Sequence, residues 1–106
     1  AMLDAVGPGA LGDVLDVGTG TGRVLSLLAP RARRALGIDL SPAMLGVARA
    51  ALDPEAHPNV HVRHGDMYHL PLPAASVDVV VFHQVLHYAD AAAAAVAEAA
   101  RCLRPG

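Results

Sequence analysis

The chain has 106 residues, of which 54% are hydrophobic, and a net charge of −2. That length bounds it to one small domain with a modest core. A slightly acidic balance with 3% aromatic residues excludes the cationic footprint and stacking platforms of a nucleic-acid reader, and no apolar run approaches the roughly 18 residues of a membrane span. The single cysteine, Cys102, excludes an internal disulfide and fits a cytoplasmic setting. Placed between Arg101 and Leu103, it reads as a core or rim residue.

In chain order, Ala1 to Val6 reads as the tail of a helix stopped by Gly7-Pro8-Gly9. A helix that opens so abruptly leads us to expect a piece of a longer protein. Asp13 to Val17 then reads as a central parallel strand, because Val14, Leu15 and Val17 are apolar enough to be covered on both faces. Asp16 is its odd residue. A buried carboxylate needs a partner, so it is expected to face a polar ligand or to hydrogen-bond the turn that follows. That turn is Gly18-Thr19-Gly20-Thr21-Gly22, and it opens a helix from about Gly22 that ends near Pro30. Without a Cβ, glycines at alternate positions let a ligand lie against the backbone at the helix's positive end. The spacing lacks the small sixth residue of a dinucleotide fingerprint, where Arg23 stands, and the Gly-Lys-Ser/Thr of a P-loop. No diphosphate is expected there.

Arg31, Arg33 and Arg34 cluster at a helix end, where they are expected to complement the dipole and stay solvated. Arg34 to Asp39 reads as the second strand. Asp39 ends it about 20 residues beyond the glycine turn, where nucleotide folds place a ribose-binding acid. Ser41-Pro42 supplies an N-cap and a first-turn proline, so Asp39 is not needed as a cap. The second helix is expected over Pro42 to Leu52. Leu40 and Met44 could pad a face of an adenine ring, and Met44 reads equally well as helix core. Val60 to His64 alternates as a third strand, with Val60, Val62 and His64 on one face and His61 and Arg63 on the other. Gly65-Asp66-Met67 follows, another acid at a strand end. After the restrained loop Leu70-Pro71-Leu72-Pro73, Ser76 to Phe82 reads as the fourth strand. It runs into His83-Gln84-Val85-Leu86-His87-Tyr88. Asp90 is expected to cap a last helix from Ala91 to Leu103, ended by Arg104-Pro105-Gly106.

From about residue 12 onward these motifs, led by Val14-Leu15-Asp16-Val17-Gly18-Thr19-Gly20-Thr21-Gly22, resemble the class I S-adenosylmethionine-dependent methyltransferases. The resemblance implies an α/β, Rossmann-like three-layer sandwich whose mainly parallel sheet has helices on both faces, truncated to about four strands in the order 3-2-1-4. Residues 1–106 would then form the S-adenosylmethionine-binding core of a longer chain. It implies that Asp16, Gly18, Thr19, Gly20 and Gly22 wrap the methionine part of the cofactor and Asp39 takes the ribose. Leu40 and Met44 would lie near the ring, Asp66 would accept the adenine amino group, and the Met67 N–H would meet the ring. His83 to Tyr88 would line the acceptor's entrance, His83 also touching the cofactor, and His83, His87 or Tyr88 could orient or deprotonate an acceptor. The product would be S-adenosylhomocysteine. About three further strands of the family are lacking, which leaves Val79 to Phe82 as an apolar edge open to self-association.

The expected activity is methyl transfer to an unidentified small-molecule acceptor, with no nucleic-acid or membrane partner. Two rivals from other classes stand beside it. One is a cofactor-binding regulatory module without turnover, since some relatives with a similar His-Gln-Val-Leu-His segment look like such domains fused to a winged helix. The other is an NAD-dependent oxidoreductase, disfavoured by Arg23. His83-Gln84-Val85-Leu86-His87 nearly matches the zincin signature H-E-x-x-H, but Gln84 replaces its base, so no metal is expected.

Overall fold

The computed structural model describes residues 10–82 and 92–105. β1 (Asp13–Val17) leads through the glycine turn into α1 (Arg23–Leu28), which a 3-10 turn extends to Arg31. β2 (Arg34–Asp39), α2 (Pro42–Ala51), β3 (Val60–His64), β4 (Val79–Phe82) and α3 (Ala92–Cys102) follow. The sheet is parallel throughout and its strand order is β3-β2-β1-β4, the order that the family resemblance implies. All five residues of β1 are buried, as expected of a strand covered on both faces.

Strand alternation sorts the apolar residues into two cores. Val14 and Ala35 meet Leu25 of α1 and Ala48 of α2, with Val60 and Val62 packed alongside. On the opposite face Leu15, Val17 and Ile38 meet Cys102 of α3 together with Leu70 and Val77 from the β3–β4 connection. The three layers are thus two helices, the sheet, and one helix with a long connection. Ser41 caps α2 by accepting the Met44 N–H at 3.2 Å, and Pro42 takes the first turn. Leu52 closes α2 as its C-cap, so the helix stops one residue short of the expected end.

Two expectations need correction. The fourth strand begins at Val79, not Ser76. The N–H groups of Ser76 and Val77 go to the Cys102 carbonyl, and Arg104 N–H goes to the Val77 carbonyl, so the chain leaving α3 captures this stretch as a parallel bridge from Leu103 to Val77. That bridge occupies the outer side of the chain at Val77; beyond it, among the described residues, β4 pairs with β1 alone. Arg33 and Arg34 do more than complement a dipole. Both form ion pairs with Asp13, which Arg104 joins from the far end of the chain at 2.9 Å. Asp13 is 4% exposed, so a carboxylate placed there by β1 draws in the nearest cations. Their hydrogen bonds hold it well below the usual carboxylate range. α3 begins at Ala92 and ends at Cys102. The expected first helix and the Asp90 cap lie outside the described residues.

Candidate functional site

At the carboxyl ends of β1 and β2 the glycine turn is sewn onto β2. Gly18 and Thr19 N–H both donate to the Ile38 carbonyl, at 2.8 and 3.0 Å, and Gly20 N–H donates to Asp39 Oδ2 at 2.9 Å. Gly22 N–H returns to the Thr19 carbonyl at 2.9 Å. These four N–H groups are engaged within the protein. Gly18, Gly20 and Gly22 all have positive φ, which other residues adopt at a cost.

Asp16 makes the expected bond to the turn. It is fully buried, and Thr19 Oγ1 donates to its Oδ2 at 3.0 Å. Thr19 in turn sits where a Cβ on Gly37 would be: that atom would lie 2.5 Å from Thr19 Oγ1 and 2.8 Å from Leu25 Cδ2. Gly37 faces Asp16 in the β1–β2 register. A glycine inside a strand signals a close approach of this kind, and it went unread in the sequence.

Asp39 holds two backbone groups at once. Besides Gly20 N–H, its Oδ1 accepts Ser41 N–H at 2.9 Å, and its carbonyl accepts Gly65 N–H at 3.1 Å, tying β3's end to β2's. Gly65 is likewise demanded by packing, since a Cβ there would lie 2.7 Å from Ile38 Cγ2. Between these elements lies a hollow of about 250 Å³ lined by Val17, Gly18, Ile38, Asp39, Leu40, Gly65 and Met67.

Of the expected residues, the hollow thus gathers Gly18, Asp39, Leu40 and Met67. Asp16 is fully buried behind the turn and holds it through the hydroxyl of the buried Thr19. A Cβ on Gly20 would meet nothing within 4 Å, whereas one on Gly22 would lie 2.9 Å from Leu52 Cδ1, so Gly22 serves the contact of α1 with α2. Met44 is 39% exposed and stands apart from the hollow's lining and from the core. Asp66 builds a tight turn: its Oδ1 accepts Tyr68 N–H at 2.9 Å, and its side chain stays 43% exposed, with His69 Nδ1 at 3.7 Å from Oδ2. Cys102 is fully buried, and burial pushes its thiol pKa up, which fits a core residue. His83, His87 and Tyr88, with the zincin-like segment, lie outside the described residues. A larger groove of about 430 Å³ lies at the amino ends of the strands, lined in part by Arg34, Leu36, His61, Arg63 and Arg104; none of the expected site residues lines it.

Residues 15–106 match the family model described as "Methyltransferase domain". The chain is 45% identical over 94 residues to a probable S-adenosylmethionine-dependent methyltransferase of Mycolicibacterium smegmatis, covering 89% of this chain and 35% of that protein. It is 38% identical to a malonyl-[acyl-carrier protein] O-methyltransferase of Serratia marcescens, covering 88% of this chain and 34% of that one. Among solved structures, an S-adenosylmethionine-dependent methyltransferase from Mesorhizobium loti superimposes with a TM-score of 0.80 at 32% identity, covering 99% of this chain and 48% of the other. The chain therefore spans about a third of the length of these curated relatives. By sequence and by fold it belongs to the methyltransferase-domain family, class I, S-adenosylmethionine-dependent.

Proposed function

We propose that the whole protein transfers the sulfonium methyl group of S-adenosylmethionine to a small-molecule acceptor, and that residues 10–82 carry the cofactor side of that site. The observation that carries the reading is the Asp39 carboxylate at the end of β2, fixed by two backbone N–H groups and lining the hollow. An ionised carboxylate has about four acceptor positions. Two bonds to the backbone leave room for a vicinal pair of ribose hydroxyls. The rest of the donor set fits the same molecule. Leu40 and Met67 give the hollow apolar walls suited to a purine ring, and the half-exposed Asp66 can accept an amino group. Open space at the missing Cβ of Gly20 leaves room beside the turn.

When bound, the cofactor supplies an already activated methyl group. The chain's own task is then alignment. Asp39 holds the sugar, while the turn, propped from below by Asp16 and Thr19, sets how deep the ligand lies. His83, His87 and Tyr88 remain the candidates for orienting or deprotonating the acceptor, whose side of the site belongs to the rest of the protein. A cytoplasmic location belongs to the same reading.

Calorimetry with S-adenosylhomocysteine tests it. A one-to-one event is expected, weakened at least about tenfold by Asp39→Ala, which corresponds to about 1.4 kcal/mol. Equal affinity in both proteins removes Asp39 from the site. Turnover of labelled S-adenosylmethionine by the whole protein with any acceptor eliminates a pure sensor.

A further inference from the structure

The segment from Asp66 to Pro73 has no helix or strand of its own, yet it carries the Met67 wall of the hollow. One end is fastened to β2 through Gly65 N–H and the Asp39 carbonyl. Past the Asp66–His69 turn comes Leu70, which is 5% exposed. A backbone N–H and C=O buried this deeply need partners, and the Pro71 that follows has no N–H to offer. Both partners come from α3. Glu98 Oε2 accepts Leu70 N–H at 2.7 Å, and Arg101 Nη2 donates to the Leu70 carbonyl at 3.2 Å. The two side chains close the ring themselves, Arg101 Nε and Nη2 donating to Glu98 at 2.7 and 2.8 Å. Their spacing of three residues puts them on one helix face.

We propose, resting on the function proposed above, that Glu98 and Arg101 are positioning residues for the purine end of the cofactor site: by holding both backbone polar groups of Leu70 they fix the Asp66–His69 turn against the hollow. The tie is specific in direction. An ordinary surface ion pair satisfies only itself, whereas this one spends a carboxylate oxygen and a guanidinium N–H on a backbone about thirty residues away in sequence. Glu98 is also well covered, its side chain 16% exposed. The Arg101 guanidinium holds its carboxyl down at about 2, so the pair stays charged throughout the neutral range.

The test uses the full-length protein and two ligands that differ only at the purine's N1–C6 edge, S-adenosylhomocysteine and S-inosylhomocysteine. Amide hydrogen exchange is read in parallel without ligand. The wild type is expected to prefer the adenosyl ligand by about tenfold or more. In Glu98→Ala the Met67 to Leu70 amides should exchange about tenfold faster, those of Gly18 to Gly20 should stay unchanged, and the ligand preference should collapse. Glu98→Gln, which keeps an acceptor for Leu70 N–H, should restore most of both. If Glu98→Ala does not fold, Arg101→Gln frees the Leu70 carbonyl with the Leu70 N–H bond left in place, and faster exchange at Met67 to His69 with a reduced ligand preference is then expected. Unchanged exchange overturns the proposal, as does a loss of affinity equal for both ligands. A wild type that binds neither ligand overturns the proposed function and this inference with it, while the exchange data still report whether α3 holds the segment.

Discussion

Gly37→Ala concentrates the structural reasoning in one methyl group. The added Cβ would lie 2.5 Å from Thr19 Oγ1 and 2.8 Å from both Thr19 Cβ and Leu25 Cδ2. None of these neighbours has a free direction. Thr19 is 6% exposed and donates to the buried Asp16, and Leu25 is fully buried. Overpacking a close-packed site costs about 1–3 kcal/mol, and pushing Thr19 off a buried carboxylate adds about 1–3 kcal/mol more. We therefore expect a loss of about 3 kcal/mol by urea unfolding with an unchanged m-value. The turn that rides on Thr19 should move as well, so S-adenosylhomocysteine affinity should fall about tenfold under conditions where the variant is folded. Gly46→Ala is the matched control. A Cβ at Gly46 meets nothing within 4 Å and sits inside α2, so it should stabilise by about 0.5–1 kcal/mol and leave binding alone. Gly37→Ala with wild-type stability and affinity would refute the claim that the turn is seated against β2.

Gly20→Ala should affect stability and binding for different reasons: positive φ costs an alanine about 1–2 kcal/mol, read by urea unfolding, while its methyl enters the open space proposed for the ligand, so S-adenosylhomocysteine affinity should fall about tenfold where the variant is folded. Acid unfolding should report the carboxylates held low in the fold, Asp13, Asp78 and Glu98. Each binds fewer protons folded than unfolded, so their contribution is present above about pH 4.5 and is lost as pH falls toward 2. Asp13→Asn should flatten the acid limb of a stability–pH profile and cost about 2 kcal/mol at pH 7 by urea unfolding, because it leaves three guanidinium groups without their shared partner.

The first three strands were legible because the carboxyl end of each carries local chemistry. The Gly turn closes β1, Asp39 followed by Ser41-Pro42 closes β2, and Gly65 closes β3. β4 was overextended for a physical reason. Alternation at Ser76 to Asp78 looks the same whether the backbone pairs with β1 or with the chain leaving α3, and Leu103 took Val77. The acids at the strand ends were readable as a group, but their division of labour was not. Only packing shows that Asp16 braces Thr19 while Asp39 lines the hollow. Long-range ion pairs were invisible for a similar reason. Arg104 looked like a helix stop, and its bonds to Asp13 and Asp78 span 91 and 26 residues of chain. Glu98 and Arg101 carry no local signal either, since their bonds to Leu70 span 28 and 31 residues of chain.

Amide chemical shifts of the labelled chain, followed by NMR as S-adenosylhomocysteine is added, test the central claim most directly. The account predicts that the residues moving with the ligand are Gly18 to Gly20, Asp39 and Leu40, and Gly65 to Met67, around the hollow at the carboxyl ends of the strands. Shifts gathered instead at Asp13, Arg34 and Ser76, around the groove at the opposite ends, would contradict it.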